Sequence, residues 1–221
     1  MAIELYKTPN KYARAVSLNK LDEGYEVTGY QSFKVGKDWL NINSKKYELV
    51  YPHLNGKLKG KTFLDLGGAN GVYSFLANFE GAKPTIVDID KDHLDIVRTI
   101  SEEYDFDIDI IEKNVTDIDM KSDVVNALAL IHWIYSCTST FGSLERAIKF
   151  LSDLTNETLI IEWVEPTDPV MNILHHIDFN KESIEEEYNF DNFIKALHKY
   201  FKDVYHVGDV SGTRYIFKCT R

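Results

Sequence analysis

The sequence predicts an α/β fold, with a doubly wound, mostly parallel sheet of seven strands, a C-terminal antiparallel hairpin and a helical or irregular N-terminal cap. Three observations lead there. From Thr62 onward, short apolar runs alternate with stretches of helical period, the pattern of parallel strands joined through helices. A glycine-rich turn, "FLDLGGANGVYSF" from Phe63 to Phe75, sits where the first strand gives way to the first helix. The chain closes on two strand-like runs around "VSGTR".

Residues 1–60 are rich in Tyr, Lys and Asn, with aromatics at Tyr6, Tyr12, Tyr25, Tyr30, Phe33, Trp39, Tyr47 and Tyr51. We read them as a cap or lid segment of irregular structure with one helix around Ser44 to Tyr51, packed over the sheet or its ligand. An extra layer of core is the open alternative. Residues 61–221 form the ligand-binding domain. Its parallel strands are Thr62 to Leu66, Thr85 to Asp88, Ile108 to Glu112, Val124 to Leu130 and Thr158 to Trp163. Val72, Phe75, Leu76 and Phe79 fall at i, i+3, i+4 and i+7, as do Leu144, Ala147, Ile148 and Leu151, so each set marks one buried helix face. Leu94, Val97, Ile100 and Tyr104 form a similar stripe, and Phe190, Phe193, Ile194, Leu197 and Phe201 the strongest one. The final strands, Asp203 to Val210 and Arg214 to Cys219, read as a hairpin whose turn holds Ser211 and Gly212.

At 221 residues, with 44% hydrophobic positions, the chain is long enough to bury a full core. It shows no apolar run of the roughly 18 residues that a membrane span needs, and Met1 to Asn10 lacks a signal-like apolar core, so a soluble cytoplasmic protein is expected. Cys137 and Cys219, far apart in sequence, support neither a disulfide framework nor a thiolate metal site. The 25 basic against 35 acidic residues give a formal charge of -10, which opposes attraction to a phosphate backbone and disfavours nucleic acid as a partner.

The glycine turn discriminates between ligands. A dinucleotide fingerprint needs Gly at its first, third and sixth places, but counting from Gly67 the third is Ala69 and the sixth Val72. A phosphate loop would need a following Gly-Lys-Ser/Thr, which is absent. Read as Asp-x-Gly-x-x-x-Gly, Asp65 to Gly71 resembles motif I of the class I S-adenosylmethionine (SAM) methyltransferases, whose sheet is Rossmann-like. The resemblance extends from about Thr62 to the C-terminus. It implies that SAM is the cofactor and that Asp65, Gly67, Gly68, Ala69, Asn70 and Gly71 surround its methionine part.

The same resemblance implies further cofactor contacts. In "TIVDID" the acid at the end of the second strand would accept from both ribose hydroxyls; this is Asp88, followed by Ile89, with Asp90 as second choice. After the third strand, "IEKNVTDI" places Asn114 and Val115 at the adenine, where the family usually has Asp; an Asn carbonyl still accepts from an exocyclic amine, and Asp117 is the alternative. Leu128 and Ala129, after the fourth strand, would line the cofactor.

For methyl transfer to a hydroxyl, a general base helps, and His132 is the leading catalytic candidate, with a packing histidine as its rival. Glu162 is the second, as an acceptor contact or base. Glu162, Glu165, Asp168, His175, His176 and Asp178 cluster after the fifth strand, but their spacing matches no metal motif, so no metal is expected. Tyr30, Phe33 and Trp39 suit a lid, with Arg14 and Lys37 facing an anionic group of the substrate. The function expected is SAM-dependent methylation, at oxygen, of a small molecule or a glycan component. "IHWIY", "EWVEP" and "TRYIF" resemble methyltransferases that modify bacterial surface polysaccharides, which makes a sugar or sugar-linked phosphate an acceptor to test. The amine-methylating Asn/Asp-Pro-Pro-Tyr/Phe signature is missing, since the chain reads Asn126-Ala127-Leu128-Ala129. The rival readings are a non-catalytic SAM- or nucleotide-binding regulator, an RNA methyltransferase and an NAD-dependent oxidoreductase.

Overall fold

Alternating burial builds the first of the described elements. In the computed structural model, which describes residues 16–137, 141, 143–174 and 186–221, Val16–Leu21 (β1), Gly24–Gly29 (β2), Phe33–Gly36 (β3) and Trp39–Ile42 (β4) form an antiparallel sheet in the order β1-β2-β3-β4. Val16, Leu18, Tyr25, Val27, Phe33 and Val35 are buried, two residues apart within each strand, as a sheet with one covered face requires. This corrects the expectation of irregular structure in the cap. The strands are only four to six residues long, and their tight turns, Asp22-Glu23 and Lys37-Asp38, carry no glycine, so the usual hairpin signal is missing. Trp39 packs onto the bare backbone of Gly24 and Gly36, where any side chain would collide with its indole. The expected helix is present as Lys45–Leu54 (α1), capped by the Ser44 hydroxyl, which accepts from Tyr47 N.

The chain divides into two compact units, Met1–Asn114 and Val115–Arg221. The first also holds Thr62–Leu66 (β5), Val72–Phe79 (α2), Lys83–Asp88 (β6), Lys91–Tyr104 (α3) and Asp109–Glu112 (β7), and β5, β6 and β7 pair in parallel. Val72, Phe75 and Leu76 of α2 are buried as their spacing demands. Phe79, the fourth residue of that stripe, is 37% exposed at the end of the helix, its ring 5.4 Å from that of Phe106.

The second unit holds Ser122–Ala127 (β8), Ile131–Cys137 (α4), Leu144–Leu154 (α5), Thr155–Val164 (β9), Phe190–Tyr200 (α6), Asp203–Ser211 (β10) and Arg214–Thr220 (β11). β8 and β9 are parallel, whereas β11 runs antiparallel to both β9 and β10. Ser211 pairs with Arg214, so the hairpin turn is Gly212-Thr213, one residue beyond the expected pair. The strand order of the larger sheet is β10-β11-β9-β8-β5-β6-β7, the seven-stranded, mostly parallel arrangement with a C-terminal hairpin that the sequence predicts. Trp163 anchors the core of this unit, stacked at 4.4 Å on Tyr188 and 4.8 Å from Phe193, with all three side chains buried. Among the described residues, no helix is long and apolar enough to cross a membrane.

Candidate functional site

The cofactor candidates of the first unit converge on the C-terminal ends of β5 and β6, the edge at which parallel sheets bind ligands. Gly67 N donates to Val87 O at 2.8 Å, and Gly71 N to Gly68 O at 3.0 Å, which folds the turn back before α2 begins. Two glycines are sterically required. A Cβ on Gly68 would lie 2.6 Å from Ile86 Cγ1 and 2.9 Å from Asp65 Cγ. Gly71, the N-cap of α2, has φ +78, and a Cβ there would lie 2.7 Å from Val97 Cγ2. The turn is therefore pressed against β6 and α3. Ala69 adopts φ +49, a left-handed conformation that costs a non-glycine residue about 1–2 kcal/mol.

Polar side chains brace this turn. Asp65 is buried beneath it and accepts the Ser74 hydroxyl at 2.8 Å, tying β5 to the first turn of α2. Asp88 accepts from Ala69 N at 2.8 Å through one oxygen and from Asp90 N at 2.9 Å through the other. Asp90 instead caps α3, accepting from Asp92 N and His93 N. The two acids of "TIVDID" are thus separated by their partners, with only Asp88 bonded to the glycine turn. Ile89, beside it, is 70% exposed and offers an apolar surface. Asn114, at the end of this unit, is exposed.

One connection has no sequence signal. The carboxamide nitrogen of the buried Asn70 donates to the carbonyls of Tyr30 and Gln31, in the turn between β2 and β3. These residues lie 40 and 39 positions away in sequence. Phe33 packs 5.9 Å from Phe75 of α2, and Tyr30 lies edge-on to His93 of α3 at 6.4 Å. Of the aromatics suited to a lid, Tyr30 and Phe33 pack against this side of the unit, while Trp39 is taken up by its own sheet.

In the second unit, Val115 opens a 3₁₀ turn, Val115–Asp117, and is buried. The fourth strand stops at Ala127 rather than Leu130, because Leu128 and Ala129 turn the chain, Ala129 with φ +49. His132 follows in the first turn of α4, 1% exposed, its ring 5.8 Å from that of Trp133. Glu162 lies on β9 opposite Ile216 of β11 and is fully buried.

The described members of the acidic cluster, Glu162, Glu165 and Asp168, do not act as one group. Asp168 caps the 3₁₀ turn Pro169–Ile173 by accepting from Val170 N, and it binds Thr213 at 2.7 Å and Arg214 bidentately at 2.8 and 2.9 Å. Burial pushes its carboxyl upward, but the bonds from Arg214, Thr213 and Val170 overrule this and hold it well below the usual range. It is a fastener between the loop and the hairpin. Burial, reinforced by Glu165, likewise keeps the Tyr188 phenol well above its ordinary value, and its hydroxyl donates to Val164 O at 2.8 Å. Among the described residues no three His, Cys, Asp or Glu side chains are grouped to hold a metal. His175, His176, Asp178 and Arg14 lie outside the described residues. Lys37 is exposed in the β3–β4 turn.

No family model and no curated protein sequence matches this chain. Solved structures do. Magnesium protoporphyrin IX methyltransferase (ChlM) from Synechocystis PCC 6803, with bound SAM, is similar with a TM-score of 0.56 and 16% identity over 80% of this chain and 77% of that one. The chain has the class I methyltransferase fold. The bifunctional kinase-methyltransferase WbdD matches with a TM-score of 0.61 and 16% identity over 80% of this chain, which spans 39% of the length of WbdD. The PH0226 protein from Pyrococcus horikoshii OT3 matches with a TM-score of 0.59 and 15% identity over 80% of this chain and 92% of that one. At such identities the likeness is one of fold, so the chemistry has to be argued from the residues.

Proposed function

We propose that this chain is a SAM-dependent methyltransferase that methylates an oxygen of a small molecule or glycan component. The observation that carries the reading is the Gly67–Gly71 turn, braced below by Asp65 and Ser74 and bonded at Ala69 to the Asp88 carboxylate, at the C-terminal edge of β5 and β6. The residues present fit the cofactor. Each Asp88 oxygen holds one backbone N–H and keeps further lone-pair capacity for a ribose hydroxyl, and Ile89 supplies an exposed apolar face beside it for an adenine. The fold is shared with a methyltransferase solved with both SAM and S-adenosylhomocysteine.

When bound, SAM supplies a sulfonium methyl: the S–C bond breaks as an O–C bond forms to the acceptor, the electron pair stays on sulfur, and the hydroxyl proton passes to a base. The chain's own contribution is first orientation, because an in-line displacement gains most from fixing its reactants. In this reading Asn114, Val115, Leu128 and Ala129 line the cofactor, while His132 takes the proton and Glu162 contacts the acceptor hydroxyl or serves as second base. ChlM carries a small-molecule acceptor, magnesium protoporphyrin IX, in its name. The formal charge of -10 supports such an acceptor over a nucleic acid.

Titration calorimetry with S-adenosylhomocysteine and NAD tests the cofactor assignment, and we expect only the first to bind. Incubation with methyl-labelled SAM and a panel of sugars, sugar phosphates and phenols tests the transfer. Binding of NAD alone would sink the proposal, and SAM binding with no transfer to any acceptor would favour a regulatory role.

A further inference from the structure

The outer face of the N-terminal sheet carries an arrangement that its packing does not require. The inner face ties the sheet to the rest of its unit: Phe33 meets Phe75 of α2, and Tyr25 and Lys20 bond to Glu103 of α3. The strand registers place the alternate residues on the opposite face, in rows that run across the strands. One row is Asn19, Glu26, Lys34 and Asn41. In the next, Gly24 and Gly36 are bare and Trp39 covers both. A Cβ on Gly36 would lie 2.5 Å from Trp39 Cε2, and one on Gly24 3.0 Å from Trp39 Cη2. The indole therefore lies along the sheet, across β3 and β2, with one face on backbone and the other turned away from it, and it is half-buried. Glycine weakens a strand interior, so two glycines beneath one ring are a cost to this sheet. The other aromatics of the four strands, Tyr25 and Phe33, are buried on the inner face.

The polar row flanks the indole, two residues along each strand and so about 7 Å away. Lys34 Nζ and Glu26 Oε1 pair at 3.2 Å, and Lys34 and Asn41 are exposed, so the row offers donors and acceptors with its two charges balanced. The ligand that fits has one flat apolar face and a rim of neutral hydroxyls, which describes a pyranose. A nucleobase also has a flat face, but its phosphates meet a row without net charge on a chain of formal charge -10. A wholly apolar partner would desolvate the row and give it nothing to bond. We infer that the outer face of the N-terminal sheet binds a neutral sugar ring of a glycan, its C–H face stacked on Trp39 and its hydroxyls bonded to Asn41, Lys34 and Glu26. This surface is separate from the glycine turn, which meets the β2–β3 turn through Asn70, so it stands whether or not the chain transfers methyl groups.

An NMR titration of the isotope-labelled full chain tests this, because Trp39, Trp133 and Trp163 each give one indole N–H signal. The probes are maltohexaose, cellohexaose and mannohexaose, neutral oligosaccharides that differ in linkage and hydroxyl stereochemistry. At least one should shift the Trp39 signal, assigned from its loss in Trp39→Phe, with a Kd of about 1 mM, and leave those of Trp133 and Trp163 in place. Trp39→Phe keeps a smaller ring over the two glycines and should weaken that sugar by about three- to tenfold. Asn41→Ala, at an exposed position, removes one hydrogen bond and should weaken it by about fivefold while the rest of the spectrum stays in place, which shows that the fold is intact. No shift of the Trp39 signal with any of the probes at about 20 mM, or affinity unchanged in both variants, would overturn the inference.

Discussion

Replacing Gly71 by alanine probes the joint on which the whole turn depends. Two costs follow from the geometry. The residue sits at φ +78, where a Cβ costs about 1–2 kcal/mol. The new methyl would also lie 2.7 Å from Val97 Cγ2 on α3, and forcing such a contact in a packed interior costs about 1–3 kcal/mol. The sum, about 2–5 kcal/mol, corresponds to a fall in Tm of about 4–20 °C for a chain of this size. The two terms can be separated. Val97→Ala alone should cost about 2 kcal/mol in lost burial and cavity, but in the Gly71→Ala background it should recover the steric term and leave the backbone term. Urea denaturation of the wild type, both single variants and the double variant gives the coupling, expected at about 1–3 kcal/mol in favour of the double variant. Gly71→Ala within about 0.5 kcal/mol of wild type, or strict additivity in the cycle, would refute the account of why glycine stands there.

The remaining predictions concern the site and the hairpin. Asp88→Ala removes the carboxylate bonded to Ala69 N and should weaken S-adenosylhomocysteine by about 100-fold in calorimetry, as loss of a charged, bidentate acceptor does; unchanged affinity would place the ribose elsewhere. His132→Ala should lower turnover by about 10²–10⁴-fold with cofactor affinity within about twofold, and equal loss of both would assign His132 to packing. Arg214→Ala leaves the Asp168 carboxylate buried beside Thr213 and should cost about 3–5 kcal/mol in a urea titration. Asp168 is held below its unfolded pKa, so its contribution is complete above about pH 4 and fades as pH falls from there. Asp168→Asn should therefore lower the urea midpoint at pH 7 and flatten its decline between about pH 4 and pH 3; parallel pH profiles for variant and wild type would count against the pairing.

Much of the larger sheet is legible in the sequence. Thr62–Leu66 matches to the residue, and the other strands and the expected helices match within a few positions, because apolar period and glycine placement act over a handful of neighbours. The same locality explains the errors. The apolar run through Leu128 to Leu130 reads as a continuation of the fourth strand, whereas Ala129 takes a left-handed conformation that breaks it. The N-terminal sheet escapes a sequence reading because short strands between glycine-free turns look irregular, and because Trp39 obtains its packing surface from glycines 15 and 3 residues before it.

What the sequence by itself determined is the order of the seven sheet strands and of the longer helices from Thr62 onward, though not the short helix Ile131–Cys137, and a glycine turn unfit for a dinucleotide fingerprint. What only the tertiary structure decided is how the polar residues divide the work. Asp88 meets the turn while Asp90 caps a helix, Asp168 fastens a hairpin, and Asn70 holds a turn from another sheet. The physical reason is range. Helices, strands and turns follow from contacts within a few residues along the chain, but a buried carboxylate or carboxamide takes whichever partner the fold brings to it, and for Asn70 and Asp168 those partners lie about 40 residues or more away.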